Sequence, residues 1–295
     1  MSLTSRGTSV SVLIPTRNEA LNIEECLRSV AFADDVVVVD SLSTDGTAEI
    51  AERMGARVVP FRWDGQYPKK KNWALETVAF KNEWLLILDA DERVTPPLAT
   101  EMAEVIRRDD HQGFYVNRRF FFMNGWLQHC GYYPSWNLRL FRHRQGRYER
   151  LEIAAAAATG DNEVHEHVLL RGKVGYLEGE LLHYAYPTLD SWVEKHNRYS
   201  NWEASLIADG APAFPEARRL AASPFGNPLE RKRWLKHAAA FLPFRPSLRF
   251  LYHYVWKQGF RDGYRGYVFC RLLAWYEFVS QAKARERRMA RVAGA

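Results

Sequence analysis

The sequence predicts an α/β protein, a doubly wound mixed sheet followed by a C-terminal helical, amphipathic extension, and three observations predict it. Apolar runs recur at Val10-Ser-Val-Leu-Ile-Pro15, at Asp35–Asp40 with four consecutive valines, and at Trp84-Leu-Leu-Ile-Leu88. Runs of this length bounded by charge or turn residues read as strands buried on both faces, as in a parallel sheet. Stretches of helical spacing lie between them, and a β-α-β-α-β alternation implies right-handed crossovers. Residues 231–295 then combine 15 Lys plus Arg and only three acids with 14 of the chain's 40 Phe, Trp and Tyr.

The elements follow in order. Val10–Pro15 is the first expected strand and Thr16-Arg-Asn-Glu19 the loop beyond it; Leu21, Ile23, Leu27 and Val30 give Ala20–Val30 one apolar helical face. Asp35–Asp40 opens into the turn-rich Asp40-Ser-Leu-Ser-Thr-Asp-Gly46, and Thr47 starts a helix to about Met54. Arg57–Pro60 is a short strand, Lys69–Val78 a helix and Glu83–Asp89 the next strand. Thr95-Pro-Pro-Leu, a capping hydroxyl followed by proline in the first turn, starts a helix to about Arg108. Aromatic, strand-like segments come next, Gly113–Met123 and Asn137–Phe141, with a hairpin signal at Asn124-Gly125. Leu151–Asp161, with five consecutive alanines, is a short helix or a loop; Glu163–Leu170 and Lys173–Leu182 are strands and Leu189–Ala208 a helix.

This pattern divides the chain into a catalytic domain over 1–208, with halves of about 1–110 and 111–208, a Pro, Ala and Gly-rich linker at 209–230, and a helical region over 231–295, broken near Pro243–Pro246 and Gly263–Gly266. At 295 residues, 47% hydrophobic and 26% charged, the chain can bury an ample core. The net charge of +6 is uneven, because the last 65 residues carry +12 and the rest −6. A basic, aromatic tail suits an anionic membrane surface, and no nucleic-acid motif accompanies it. Three scattered cysteines give neither a disulfide framework nor a zinc site and suggest a reducing cytosol. Without a secretory leader, or an apolar run approaching the roughly 18 residues that span a bilayer, the chain is expected to lie on a membrane and not to cross it.

The chemistry concentrates where the Trp84–Leu88 run ends in Asp89-Ala90-Asp91-Glu92. Carboxyl ends of strands in open α/β sheets face the ligand crevice, and Asp-x-Asp there offers hard oxygen ligands to Mg2+ or Mn2+. The same acids could instead solvate a strand end or cap the following helix. Two further loops fall on that edge, Pro15-Thr16-Arg-Asn18-Glu19 and Asp40-Ser-Leu-Ser43-Thr44-Asp45-Gly-Thr47.

Together these motifs resemble the family 2 glycosyltransferases of the GT-A (Rossmann-like) fold. The likeness is closer to the branch of lipopolysaccharide-core β-glucosyltransferases, in Trp63-Asp-Gly, Lys71-Asn72-Trp-Ala-Leu75, Asp89-Ala-Asp-Glu92, Tyr133-Pro followed by Leu138-Arg-Leu-Phe-Arg142, Val164-His-Glu166 and Leu182-His-Tyr184. Where a second Asp commonly follows Asp40, this chain has Ser41. The resemblance implies an inverting, metal-dependent transfer of a hexose, with UDP-glucose as donor, to a lipid-linked saccharide such as lipopolysaccharide core, at the cytoplasmic membrane face. Transfer to a polyprenyl phosphate or an exopolysaccharide intermediate, or a non-catalytic nucleotide-sugar sensor, are the alternatives.

The implied donor site takes in Pro15, Thr16, Asn18, Glu19, Asp40, Ser43, Asp45, Lys71, Asn72, Asp89 and Ala90, with Asp91 as direct metal ligand and Asp89 toward the ribose or a metal-bound water. Lys71 either meets the nucleotide or is ordinary charge in the Lys69-Lys-Lys71 run. Inversion needs a base for the acceptor hydroxyl, and Glu166 is the candidate, with His165 as metal ligand or acceptor contact. On a regular strand His165 and His167 share one face and Glu166 takes the other, so both roles together require an irregular segment. Tyr133, Trp136 and Arg139 are candidates for the acceptor cleft, since rings stack on sugars and Arg binds anionic groups. The aromatics could equally be core, and Arg139 the outer face of a strand.

Overall fold

The computed structural model describes residues 8–108, 110–149, 167–208, 223–225 and 244–293. These form two compact units: a sheet unit of 8–126, 133–149 and 167–185, and a helical unit of 127–132 with the described residues from 186 onward.

The sheet unit is built on β1 (Thr8–Thr16), β2 (Ala33–Asp40), β3 (Arg57–Pro60) and β4 (Trp84–Ile87). They pair in parallel, β2 between β3 and β1 and β1 between β2 and β4. Beyond β4 come β8 (Trp136–Arg142), β6 (Gly113–Phe122), β11 (Val174–His183) and β5 (Glu92–Val94), so the order is β3-β2-β1-β4-β8-β6-β11-β5. β8 is antiparallel to β4 and β6, β11 is parallel to β6, and β5 runs antiparallel on the outer edge. Hence β1, β2, β4, β6 and β11 all present their carboxyl ends at one edge of the sheet.

The apolar runs behave as expected of strands covered on both sides. On one face Val12, Ile14, Val38, Leu86 and Leu88 meet α1 (Ile23–Ser29), α2 (Thr47–Arg53) and α4 (Pro96–Val105). On the other Leu13, Val37, Val39, Leu85 and Ile87 meet α3 (Lys70–Thr77) through Ala74 and Leu75. A Cβ on Gly179 of β11 would come within 2.4 Å of Leu98 Cα, so glycine is what lets α4 close onto that strand. The Thr95 hydroxyl accepts from the Leu98 amide at 3.4 Å, giving α4 the start its sequence signals.

Two details differ from the sequence reading. The hairpin turns one residue early: Phe122 pairs with Gly125 of β7 (Gly125–Trp126), so its two loop residues are Met123 and Asn124, both at positive φ as a type I′ turn requires. β5 was not foreseen, because a three-residue strand with two charges carries no periodic signal. A small hairpin, β9 (Arg147–Tyr148) with β10 (Val168–Leu169), lies on the α3 face, with Tyr148, Val168 and Leu170 against its core. The alanine-rich segment and the linker lie outside the described residues, save 223–225.

In the helical unit α5 (Leu189–Ala208) packs on α7 (Gly263–Ala293). Lys283 Nζ ties them together by donating to Asn197 Oδ1 and Asn201 Oδ1, each at 2.6 Å, and to Ser200 Oγ at 2.8 Å. α6 (Arg245–Leu251) is joined to α7 by Arg249 and Arg245, which pair with the buried Glu277 at 2.7 and 2.8 Å. Between α6 and α7 the chain forms a π turn (Tyr252–Trp256) and a 3-10 turn (Gly259–Asp262), so the irregular corner precedes Gly263–Gly266, where a break was expected and α7 begins. No helix among the described residues is long and apolar enough to cross a membrane.

Candidate active site

At the carboxyl edge the loops are laced together by their own side chains. Thr16, the last residue of β1, donates from Oγ1 to Oδ1 of its register partner Asp40 at 2.8 Å. Ser43 binds the same carboxylate twice, amide to Oδ2 at 2.7 Å and hydroxyl to Oδ1 at 2.5 Å. Asn18, at φ +56°, donates its amide to Ser43 Oγ at 2.8 Å and accepts from the Thr44 amide at 2.9 Å. Asp45 accepts from the amides of Ala20 and Thr47 at 3.0 and 3.1 Å, and the Glu19 amide donates to Thr47 Oγ1 at 2.8 Å. Burial would raise the Asp45 carboxyl, but the bonds from Thr47 and Ala20 hold it below its ordinary value. Asn18, Ser43, Asp45 and the 4% exposed Asp40, all expected at the nucleotide, thus brace one loop against the next.

The two lysines at the start of α3 reach the same edge. Lys70 is buried and donates Nζ to the Thr16 carbonyl at 2.7 Å, while Lys71 Nζ lies 3.0 Å from Asp89 Oδ1. Lys71 therefore pairs with the acidic motif and is not a solvated charge. Asn72, expected at the donor, pairs with the backbone of β9. Its buried amide accepts from the Tyr148 N–H at 2.9 Å and donates to the Tyr148 carbonyl at 3.0 Å, holding β9 in place.

The three acids of the motif have separate surroundings. The other oxygen of Asp89 lies 2.5 Å from Arg139 Nη2, which is also 2.8 Å from Glu92 Oε1. Arg118 Nη1 reaches that Glu92 oxygen at 3.1 Å, and Glu92 is fully buried. Burial alone would raise the Asp89 carboxyl, but Arg139 and Lys71 beside it hold it well below the usual carboxylate range. Burial disfavours the Arg139 charge, yet Asp89 and Glu92 push its pKa well above the ordinary value. Ala90 turns its methyl into the core, leaving only its backbone for the site. Asp91 Oδ1 lies 3.5 Å from His183 Nε2 at the end of β11, and the Asp91 carbonyl accepts from the Tyr184 amide at 2.8 Å.

Arg139, a candidate for the acceptor cleft or an outer strand face, is instead 5% exposed and engaged by two carboxylates. The register of β6 on β8 shifts between Phe114 and Tyr115, so Arg139 is the extra residue of a bulge, and a bulge re-aims a side chain. Trp136 is 41% exposed, and Tyr133 donates its hydroxyl to Glu180 Oε1 at 2.8 Å. Glu166 and His165 lie outside the described residues. Sequence reasoning gave no role to Glu92, Arg118 or His183, although Leu182-His183-Tyr184 was visible as a motif.

Asp91 and His183 supply a carboxylate and an imidazole side by side, a donor pair that suits Mn2+. Among the described residues no group of three or more His, Cys, Asp or Glu could hold a metal by itself. A divalent ion fits here only if the ligand's own oxygens or water complete its shell, as at hard-cation sites that bind phosphates.

A parallel half-sheet carrying Asp-x-Asp on its carboxyl edge, continued through an antiparallel strand into a second half, is the architecture of the GT-A fold. The chain belongs to glycosyl transferase family 2, whose family model matches residues 11–161. The lipopolysaccharide core biosynthesis glycosyltransferase LpsC of Rhizobium meliloti (strain 1021) is 29% identical over 290 residues, covering 94% of this chain and 92% of that protein. An uncharacterized glycosyltransferase of Rickettsia bellii (strain RML369-C) is 30% identical over 287 residues, 94% and 86% of the two chains. TarS of S. aureus, solved in complex with UDP, covers 97% of this chain and 92% of its own at 17% identity and a TM-score of 0.43, a likeness too remote to argue from.

Proposed function

We propose that the chain is an inverting, metal-dependent hexosyltransferase that moves glucose from UDP-glucose to a lipid-linked saccharide such as lipopolysaccharide core. The observation that carries this reading is the division of the acidic motif, in which Asp89 and Glu92 are neutralised by arginine and lysine while Asp91 faces the His183 imidazole. The name of the Rhizobium relative supports the acceptor class.

In this reading Asp91 and His183 hold Mn2+ or Mg2+, which when bound offsets the charge that develops on the departing diphosphate. Lys71, already at the motif, adds a cation toward the same phosphates, and the loops braced by Asp40, Ser43 and Asn18 present the nucleoside's seat with Pro15, Thr16 and Glu19. Glu166 takes the proton of the acceptor hydroxyl as that oxygen bonds to the anomeric carbon and the bond to the diphosphate breaks on the opposite side. His165 remains a proposed metal ligand or acceptor contact. The basic, aromatic tail sets the enzyme against an anionic surface at the cytoplasmic membrane face, where a lipid-anchored acceptor is found.

The test is calorimetric titration with UDP and UDP-glucose with and without Mn2+, followed by transfer assays. Asp91→Asn should remove the Mn2+ dependence of donor binding. Asp89→Asn, which leaves Lys71 and Arg139 without that carboxylate, should tighten metal-free UDP binding. Equal behaviour of the two variants would defeat the division of labour. Glu166→Gln should lower turnover and spare donor binding, and an unchanged rate would assign the base elsewhere.

A further inference from the structure

We propose that Tyr115, Tyr176 and Trp136 form a saccharide-binding platform on the sheet, one that seats the acceptor glycan along β6. The inference rests on the saccharide-acceptor reading above and goes beyond it by assigning the residues. Phe114 and Val116 of β6 are buried in the core shared with α1, α2 and α4, so alternation turns Tyr115, Asn117 and Arg119 to the opposite face. That is also the face of Leu85 and Ile87, hence of Asp89 two residues further on, and of the β9–β10 hairpin.

On it Tyr176, the register partner of Tyr115, stacks on that ring at 5.0 Å and 17°, and Trp136 meets Tyr176 edge-on at 5.1 Å and 88°. Tyr176 is 62% exposed and Trp136 41%. Rings this open to solvent contribute little to the core.

The row changes character toward the carboxyl edge. Glu180 gathers the Asn117 amide and the Tyr133 hydroxyl, each donating to Oε1 at 2.8 Å, while Arg119 pairs with Oε2. Arg119 also lies over the Trp126 ring, 4.7 Å from its centroid, with 42% of its side chain exposed. Aromatic faces followed by a carboxylate, an amide and a guanidinium match a sugar chain, whose C–H faces stack and whose hydroxyl or anionic groups take hydrogen bonds. A protein partner would favour a more continuous apolar patch. From Tyr115 to Arg119 the row runs about 13 Å at about 3.3 Å per residue, room for a short oligosaccharide. Its upper end reaches the carboxyl edge of the sheet on the face of Asp89, while the next residue, Phe120, pairs with His183 on the other face.

The experiment titrates wild type, Tyr176→Ala, Tyr176→Phe and Trp136→Ala with core oligosaccharide released from lipopolysaccharide by mild acid, and separately with UDP. The expected result is a loss of about tenfold in oligosaccharide affinity for each alanine variant, wild-type affinity for Tyr176→Phe, which keeps the ring, and unchanged UDP binding in all. Both substituted positions are exposed, and unchanged UDP binding reports an intact fold. If the alanine variants bind the oligosaccharide like wild type, or wild type transfers sugar to intact lipopolysaccharide yet does not bind the oligosaccharide, the platform is overturned while the acceptor reading stands. If wild type transfers to no saccharide, that reading fails and the platform with it.

Discussion

Replacing Arg139 by methionine tests the electrostatic frame beneath the acidic motif. Arg139 Nη2 sits 2.5 Å from Asp89 and 2.8 Å from Glu92, with the guanidinium side chain 6% exposed, Asp89 32% and Glu92 0%. Coulomb attraction at these distances is about 6 kcal/mol per pair at an effective dielectric near 20, before desolvation of the ions is subtracted. That subtraction is several kcal/mol per ion, so the useful quantity is the penalty for leaving buried carboxylates behind, roughly 3–5 kcal/mol. Lys71 still holds Asp89 and Arg118 still holds Glu92, which places the expected loss near the lower end, about 3 kcal/mol. For a chain of this size that is a fall of roughly 6–12 °C in melting temperature. Urea unfolding followed by circular dichroism measures it, and the Arg139→Met, Glu92→Gln double variant should lose clearly less than the sum of the single losses. A melting shift below about 1 °C, or strict additivity in the double variant, would refute the idea that these charges form one unit.

Three further outcomes follow from other parts of the molecule. Asn72→Ala strips the Tyr148 N–H and C=O of their buried partner and should cost about 2–4 kcal/mol, with faster exchange of the Tyr148 amide; unchanged protection would mean another group holds β9. His196 stacks on the buried Trp192 at 3.6 Å, and burial lowers its pKa to about 4. The unfolded chain therefore binds the extra proton between pH 6.5 and 4, so stability should fall as pH drops through that window, by at most about 3 kcal/mol; His196→Asn should flatten the slope, and an equal slope in both proteins would contradict the assignment. At the corner between α6 and α7, Trp256 and Phe260 are 76% and 51% exposed, and each is followed in the chain by a cation, Lys257 and Arg261. Trp256→Ser with Phe260→Ser should abolish co-sedimentation with phosphatidylglycerol vesicles while sparing UDP binding; undiminished sedimentation would count against membrane contact there.

The parts of the fold legible in the sequence were those where one physical rule dominates. β1, β2 and β4 are continuous apolar runs because both faces are covered, and the start of α4 follows from Thr95 and the prolines after it. β5 was not legible, since Glu92-Arg93-Val94 is a strand only through its pairing with Leu181–His183. In the site, the three loops at one sheet edge were readable from motif order, but the partners of each side chain were not. Asn72 and Asp45 look like ligand-binding residues by type, and each is also bonded to backbone within the protein. Leu138-Arg139-Leu140-Phe141 reads as alternation, yet all four are buried, because the bulge in β8 breaks the period at Arg139.

That bulge connects fold to chemistry. A regular β8 would alternate Arg139 with Leu138 and Leu140 across the sheet; the extra residue lets one guanidinium reach both Asp89 and Glu92 without leaving the core. Three carboxylates on four consecutive residues would otherwise repel one another at the strand end. With Lys71, Arg139 and Arg118 set against Asp89 and Glu92, the repulsion is removed within the protein, and Asp91 is held at His183 on the neighbouring strand edge. The motif is thus divided by its partners: the first and last acids are paired with arginine and lysine, and the middle one lies beside His183, with which it makes the donor pair for the proposed cation.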